Sequence, residues 1–186
     1  RSHAVAKDAR AYDQVMRSHA GALTHVRTAC PFGLFPSLEF RNQSPPQTHA
    51  GRLRDQYVVK GPASRRIVQT VATHVRDGWL RCPDWPEHGG VAFHEAEIRT
   101  DDATLATLTA YAEGSWHVSV DGKVVLERDG LGAQMPRLAS VKIHLPTGWH
   151  RIRMKVATAS DSHYGWLALQ GEDGRALPIV YGHEDA

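Results

Sequence analysis

The sequence predicts a mainly β protein: an antiparallel β-sandwich, jelly-roll-like, with an N-terminal α-helix. Three observations carry this. From residue 65 onward the apolar residues recur with a period of two, as in strands buried on one side. Asp-Gly pairs at 77–78, 121–122 and 173–174 interrupt these runs; that dipeptide suits two-residue hairpin turns, which need positive φ at both central positions. Residues 4–29, by contrast, carry apolar residues at three- and four-residue steps, the helical period.

In that first segment Val5, Ala9, Tyr12, Val15, Met16, Leu23 and Val26 form one stripe, with Asp8, Arg10, Asp13, Gln14 and Arg17 mostly off it. Gly21 weakens the pattern by about 1 kcal/mol relative to alanine. Cys30-Pro31 ends it, because a residue before proline avoids the helical region. Residues 1–29 are therefore read as a helical segment, the end of a preceding helical region, packing through Tyr12, Val15 and Met16. Residues 30–64 read as an irregular linking segment packed on the domain. PFGLFPSLEF sets Phe32, Leu34, Phe35, Leu38 and Phe40 between prolines, whereas RNQSPPQTHAGRLRDQ is polar and contains Pro45-Pro46. The first half should lie over the core and the second along the surface; long irregular excursions are often functional.

Residues 65–186 read as the β-sandwich domain. In 65–75, Ile67, Gln69, Val71, Thr73 and Val75 share a face. Residues 89–100, entered through Gly89-Gly90, and 104–112 (TLATLTAYA) supply the next strands. GSWHVSVDGKVVLERDG (114–130) is a hairpin with Trp116, Val118 and Val120 on one face and His117 and Ser119 on the other; Asp121-Gly122 serves the turn geometry alone. Val141, Ile143 and Leu145 share a face, and Pro146-Thr147-Gly148 turns the chain. Ile152, Met154 and Val156 then point inward, with Arg151, Arg153 and Lys155 outward. That basic row is a solvated sheet face or, alternatively, a row for phosphates or an acidic polymer. YGWLALQ (164–170) and the terminal LPIVYG complete the strands. Strands at this spacing without intervening helices indicate a sandwich or barrel.

The chain has 186 residues, 41% hydrophobic and 23% charged, with a net charge of +2. Such a length supports one domain with its own core, and so small a basic excess argues against a nucleic-acid partner. No apolar run approaches the ~20 residues of a membrane span. The chain begins at Arg1 rather than Met, which reads as a piece excised from a longer protein. Cys30 and Cys82 each sit beside a proline in a different kind of segment. This favours two unpaired thiols; a disulfide across the long loop would instead stabilise by about 4 kcal/mol.

LTAYAEGSWHVSVDGKVVLERDG, SVKIHLPTGWHRIRMKVATAS and YGWLALQGEDGRAL resemble the second half of a galactose-binding-like jelly roll and domains of the anthrax protective-antigen type. In those families a strand ending in Asp-Asp-Gly leads into a strand-Asp-Gly-strand hairpin and then a strand pair matched here by Leu145-Pro146-Thr147-Gly148-Trp149-His150. DGWLRCPDWPEHGGVAFHEAEIRTDD (77–102) is similar to β-domains found beside tetratricopeptide helices in large bacterial cell-envelope proteins. The resemblance covers about residues 65–178 and implies fold rather than activity. It also implies a cell-envelope or secreted location and a neighbouring helical-repeat region or another protein as partner. One departure matters. Sugar-binding members of the protective-antigen type place adjacent aspartates on Ca²⁺, whereas the matching residues here are Ala112-Glu113-Gly114. One carboxylate cannot supply the several oxygens Ca²⁺ takes, so calcium-dependent sugar binding is not carried over.

No cofactor or metal is expected. His88, His94, Glu95 and Glu97 are the densest ligand-type set, but alternation points His94 away from Glu95 and Glu97, and neither HExxH nor CxxC occurs. No GxSxG elbow occurs, and Ser160, Asp161, Ser162 and His163 are loop neighbours, whereas catalytic triads converge from distant segments. Nucleotide-binding glycine motifs are lacking. The aromatics remain. Trp85 sits between prolines in CPDWPEHGG, where a core role is less obvious than for Trp116 or Trp166. Sugars bind aromatic faces with convergent polar groups. The candidate ligand site is thus a loop rim of Trp85, His88, His163 and Tyr164, with Asp161 as polar partner. The expected function is a non-catalytic accessory or interaction module of a larger bacterial protein; the alternatives are a carbohydrate-binding module using loop aromatics and, last, a hydrolase.

Overall fold

The computed structural model describes residues 21–33, 40–48, 51–60, 65–75, 78–130, 137–161 and 163–182. Among them the strands are β1 (His25–Phe32), β2 (Gln56–Lys60), β3 (Arg65–His74), β4 (Trp79–Leu80), β5 (Gly90–Thr100) and β6 (Thr104–Ala112). They continue with β7 (Ser115–Val120), β8 (Lys123–Arg128), β9 (Arg137–Leu145), β10 (Gly148–Thr158), β11 (Gly165–Gln170) and β12 (Val180–Tyr181). The larger sheet has the order β2-β3-β1-β5-β10-β7-β8, with β12 pairing β5; the smaller has the order β4-β11-β6-β9. Every pairing is antiparallel.

Period-two alternation builds the layer between the sheets. Ala96, Ile98, Trp116, Val118, Ile152, Met154 and Val156 come from the large sheet. Leu80, Leu108, Ala110, Ile143, Leu167 and Leu169 come from the small one, and all belong to one buried cluster. Removing each such large side chain from water is worth about 1.5–3 kcal/mol. The β7–β8 hairpin is as expected, with Asp121 at φ 51° and Gly122 at φ 84°, both positive as a type I′ turn requires. Gly89 is a second position where only glycine serves. Its φ is +78°, and a Cβ there would lie 2.0 Å from the carbonyl oxygen of Thr158.

Four expectations are corrected. The helix over 4–29 is not seen where it can be tested. Residues 1–20 lie outside the described residues, but Ala22 bridges Ala168 of β11 and 25–32 is strand β1, between β3 and β5. Leu23 and Val26, assigned to a helical stripe, are buried core residues, because the bond from Leu23 N–H to the Leu167 carbonyl and the pairing of β1 with β3 and β5 override a short three-and-four spacing. Segment 30–64 is not wholly irregular, since its start completes β1 and Gln56–Lys60 is the edge strand β2. Cys30 and Cys82 form a disulfide, with Cα atoms 6.1 Å apart, within bridging range. The prolines fix only local backbone; the β1–β5 pairing, which sets Phe32 opposite Val91, brings the two cysteines together. The fourth correction concerns the basic row and belongs to the site below. No helix among the described residues is long and apolar enough to cross a membrane.

Candidate functional site

The expected loop rim does not converge on one open surface. Trp85 stacks on His163 with ring centroids 4.7 Å apart, and its indole N–H donates to the Ser160 carbonyl at 3.0 Å. His163 is itself buried at 4% exposure, its Nε2 2.6 Å from Nε2 of His94, whose Nδ1 meets the Thr28 hydroxyl at 2.9 Å. Trp85 thus caps a buried imidazole pair. Tyr164 packs edge-on against Trp79 of β4 instead, while His88 and Asp161 are exposed. Asp161 acts with burial to raise the Glu113 carboxyl above its usual range, burial being the larger cause. Among the described residues no three His, Cys, Asp or Glu side chains gather as a metal site would need. Ser115 carries no nucleophile geometry: its hydroxyl accepts from Gly130 N–H at 3.0 Å and meets Asp129 at 3.3 Å.

The row Arg151, Arg153, Lys155 is not a solvated face: Lys155 and Arg153 are covered, and only Arg151 stays partly exposed. Residues 40–48 and 51–54 lie over the outer face of the large sheet and form a roof on it. Phe40, Leu53 and Tyr57 pack there on Ala29, Phe32, Val68, Val91 and Phe93 as a second buried cluster. Lys155 is fully buried and donates to the carbonyls of Phe40 and Asn42 at 2.9 Å each and to Gln47 Oε1 at 2.8 Å. Arg153 donates to the carbonyls of Pro46 at 2.8 Å and Gly51 at 2.7 Å, and through Nε to Glu95 at 2.8 Å. Glu95, also fully buried, accepts the Leu53 N–H at 2.8 Å. The irregular segment brings carbonyls but no strand partner, and the row brings donors. Charge-assisted bonds between them satisfy both.

The candidate site lies on the same face, clear of the roof residues. Trp149 projects from β10 at 55% exposure. Beside it lies a pocket of about 240 Å³ lined by Glu97, Asp121, Trp149, His150, Arg151 and Gly182. The register explains the gathering: Arg151 pairs Glu97 across β10–β5, and Trp149 pairs Arg99, so these side chains share the outer face. Arg99 sits 5.9 Å from the Trp149 ring and pairs with Asp101 at 3.0 Å. Asp121, at the hairpin tip, accepts the Arg151 backbone N–H at 2.8 Å and holds His150 Nδ1 at 2.8 Å; His150 Nε2 is 2.6 Å from the Pro146 carbonyl. Arg151 reaches Glu97 at 3.4 Å. Gly182 closes the pocket, donating to the Glu97 carbonyl at 3.0 Å. A Cβ there would come within 3.2 Å of both the Trp149 ring and Glu97. An exposed aromatic face flanked by fixed carboxylates and a guanidinium can stack on an apolar ring face while exchanging hydrogen bonds with hydroxyls.

No family model matches the chain and no curated protein does. Similar solved structures include a PA14 sugar-binding domain from an RTX adhesin, with TM-score 0.40 and 15% identity over 50% of this chain and 51% of that one. Others are a family 35 carbohydrate-binding module from Clostridium thermocellum (TM-score 0.32, 16% identity, 62% and 88% covered) and a beta-glucuronidase from an uncultured Clostridium (0.44, 11%, 78% and 28%). The chain spans about half the length of the PA14 domain it matches.

The rim expected from the sequence omits Trp149, which enters there only through the strand-pair match Leu145-Pro146-Thr147-Gly148-Trp149-His150. The signal was present. With Ile152, Met154 and Val156 inward, alternation places Trp149 outward beside Arg151, an aromatic face next to a guanidinium.

Proposed function

We propose that this chain is a non-catalytic carbohydrate-binding β-sandwich module of galactose-binding-like type, working in a secreted or cell-envelope setting. The observation that supports this best is the exposed Trp149 ring beside a pocket whose polar groups are held by one another. The pocket is below the ~300–1,000 Å³ of drug-sized sites, which suits one sugar ring. Gly182 leaves room beside the indole that any side chain would occupy. The test is tryptophan fluorescence titrated with a glycan panel. The chain should respond to at least one neutral glycan, and Trp149→Ala should remove the response with the melting temperature unchanged. A response that survives Trp149→Ala sinks this site.

A second reading, an accessory module that docks on a neighbouring protein such as a helical-repeat region, is favoured by a different surface. Val58, Ile67 and Val71 on the β2–β3 edge are 55%, 60% and 45% exposed. The two readings separate experimentally: Ile67→Lys should weaken docking and leave glycan binding intact.

A further inference from the structure

We propose that the ligand is a linear, uncharged oligosaccharide lying along the outer face of the large sheet, with the Trp149 pocket as one subsite and a second groove as the next. This rests on the carbohydrate-binding reading and extends it to chain length and charge.

The second groove encloses about 410 Å³ and is lined by Gln43, Gln47, Phe93, His117, Ser119 and Arg153, among others. It shares Arg151 with the Trp149 pocket. The two are therefore consecutive stretches of one surface. Along β10, Trp149, Arg151 and Arg153 point the same way at steps of about 7 Å, and the groove continues across β10 to Ser119, which pairs Arg153, and to His117, which pairs Lys155. From Trp149 to the level of His117 is six residues of β10, about 20 Å. One sugar ring cannot fill that span.

The groove's chemistry selects against a polyanion. The two cations that line it are already engaged, Arg153 with Glu95 and two roof carbonyls and Arg151 with Glu97, while the fully buried Lys155 is held by three oxygens of the roof. Apart from these two paired guanidiniums, the polar side chains lining the groove are neutral. The Gln43 amide offers donor and acceptor; the Gln47 amide, its Oε1 taken by Lys155 and the Ser44 N–H, offers its N–H groups; and the Ser119 hydroxyl, which donates to the Arg153 carbonyl, offers an acceptor. Burial, and next Lys155, hold His117 down to about 4, so near neutral pH its imidazole offers one N–H and one lone pair. Donor–acceptor pairs of this kind match sugar hydroxyls, which are both at once. The His117 ring, tilted against Phe40 at 5.7 Å between centroids, adds an aromatic wall.

The test is calorimetry of the whole chain with neutral gluco-, xylo-, manno- and galacto-oligosaccharide ladders from monosaccharide to hexasaccharide, and with polygalacturonate. In one neutral ladder affinity should rise roughly tenfold or more between disaccharide and tetrasaccharide. Gln43→Ala, at an exposed position, and His117→Gln should each erase part of that gain while leaving disaccharide affinity unchanged. Trp149→Ala should remove binding at every length. Equal affinity for short and long oligomers overturns the inference and leaves the single-ring reading standing, as does a gain untouched by both groove variants. Tighter binding of polygalacturonate than of every neutral ladder overturns it too. No binding at any length removes the carbohydrate reading itself.

Discussion

His94 and His163 face each other with their Nε2 atoms 2.6 Å apart and their ring planes 2° from parallel. Both are buried. One Nε2 must donate and the other accept, and burial away from water keeps both rings neutral. Burial, with each other's charge as the second cause for His94, pushes His94 well below its ordinary value and burial alone takes His163 to about 3. His163 Nδ1 has no hydrogen-bond partner among the described residues.

This fixes the sign of the pH dependence. Unfolded, each histidine titrates near 6.5; folded, His94, His163 and His117 titrate lower. Between those values the unfolded chain binds protons that the folded chain does not. Stability is therefore complete above about pH 7 and falls as pH drops, by up to roughly a tenfold change in the folding equilibrium per pH unit per proton. Glu113, raised by burial, opposes the trend weakly. Urea midpoints measured from pH 7 to 5 should decline, and His163→Gln should flatten the slope. A level profile in the unsubstituted chain would refute the neutral-pair assignment.

Trp85→Ala should destabilise. It removes the stack on His163 and the bond to Ser160, and the expected cost is about 2–3 kcal/mol, below the ~3–5 for fully buried aromatics because Trp85 is only half-buried. Thermal melts compared with Trp149→Ala provide the check. If the two variants melt together, Trp85 is not the plug described here.

Removing the Cys30–Cys82 disulfide opens a loop whose ends are 52 residues apart. The chain-entropy relation gives a loss of about 4 kcal/mol. Denaturation of Cys30→Ala/Cys82→Ala measures it, and a loss under about 1 kcal/mol would mean that β1 and the 81–89 loop hold together without the bond.

Glu95→Gln should cost about 3–5 kcal/mol, because it leaves Arg153 charged and nearly buried without its partner. It should also loosen the roof, so limited proteolysis should cut within 40–54 sooner than in the unsubstituted chain. Unchanged cleavage would show that Lys155 alone holds the roof.

The sequence by itself determined the strands β3 and β5 to β12, the inward faces of β7, β9 and β10, and the Asp121-Gly122 turn. Alternation and turn residues are local, and here local preference and final structure agree. It also left a readable trace of Trp149, outward on β10. Only the tertiary structure decided the rest. Whether 25–32 would be strand depended on β3 and β5 being there to pair with it. Whether Arg151, Arg153 and Lys155 would meet water depended on a segment some 100 residues earlier arriving with its carbonyls turned toward them. Whether Trp85 would be rim or plug depended on His163 coming beneath it from the far end of the chain. Each of these is a contact between segments remote in sequence, and a one-dimensional pattern records which faces are apolar but not what will cover them.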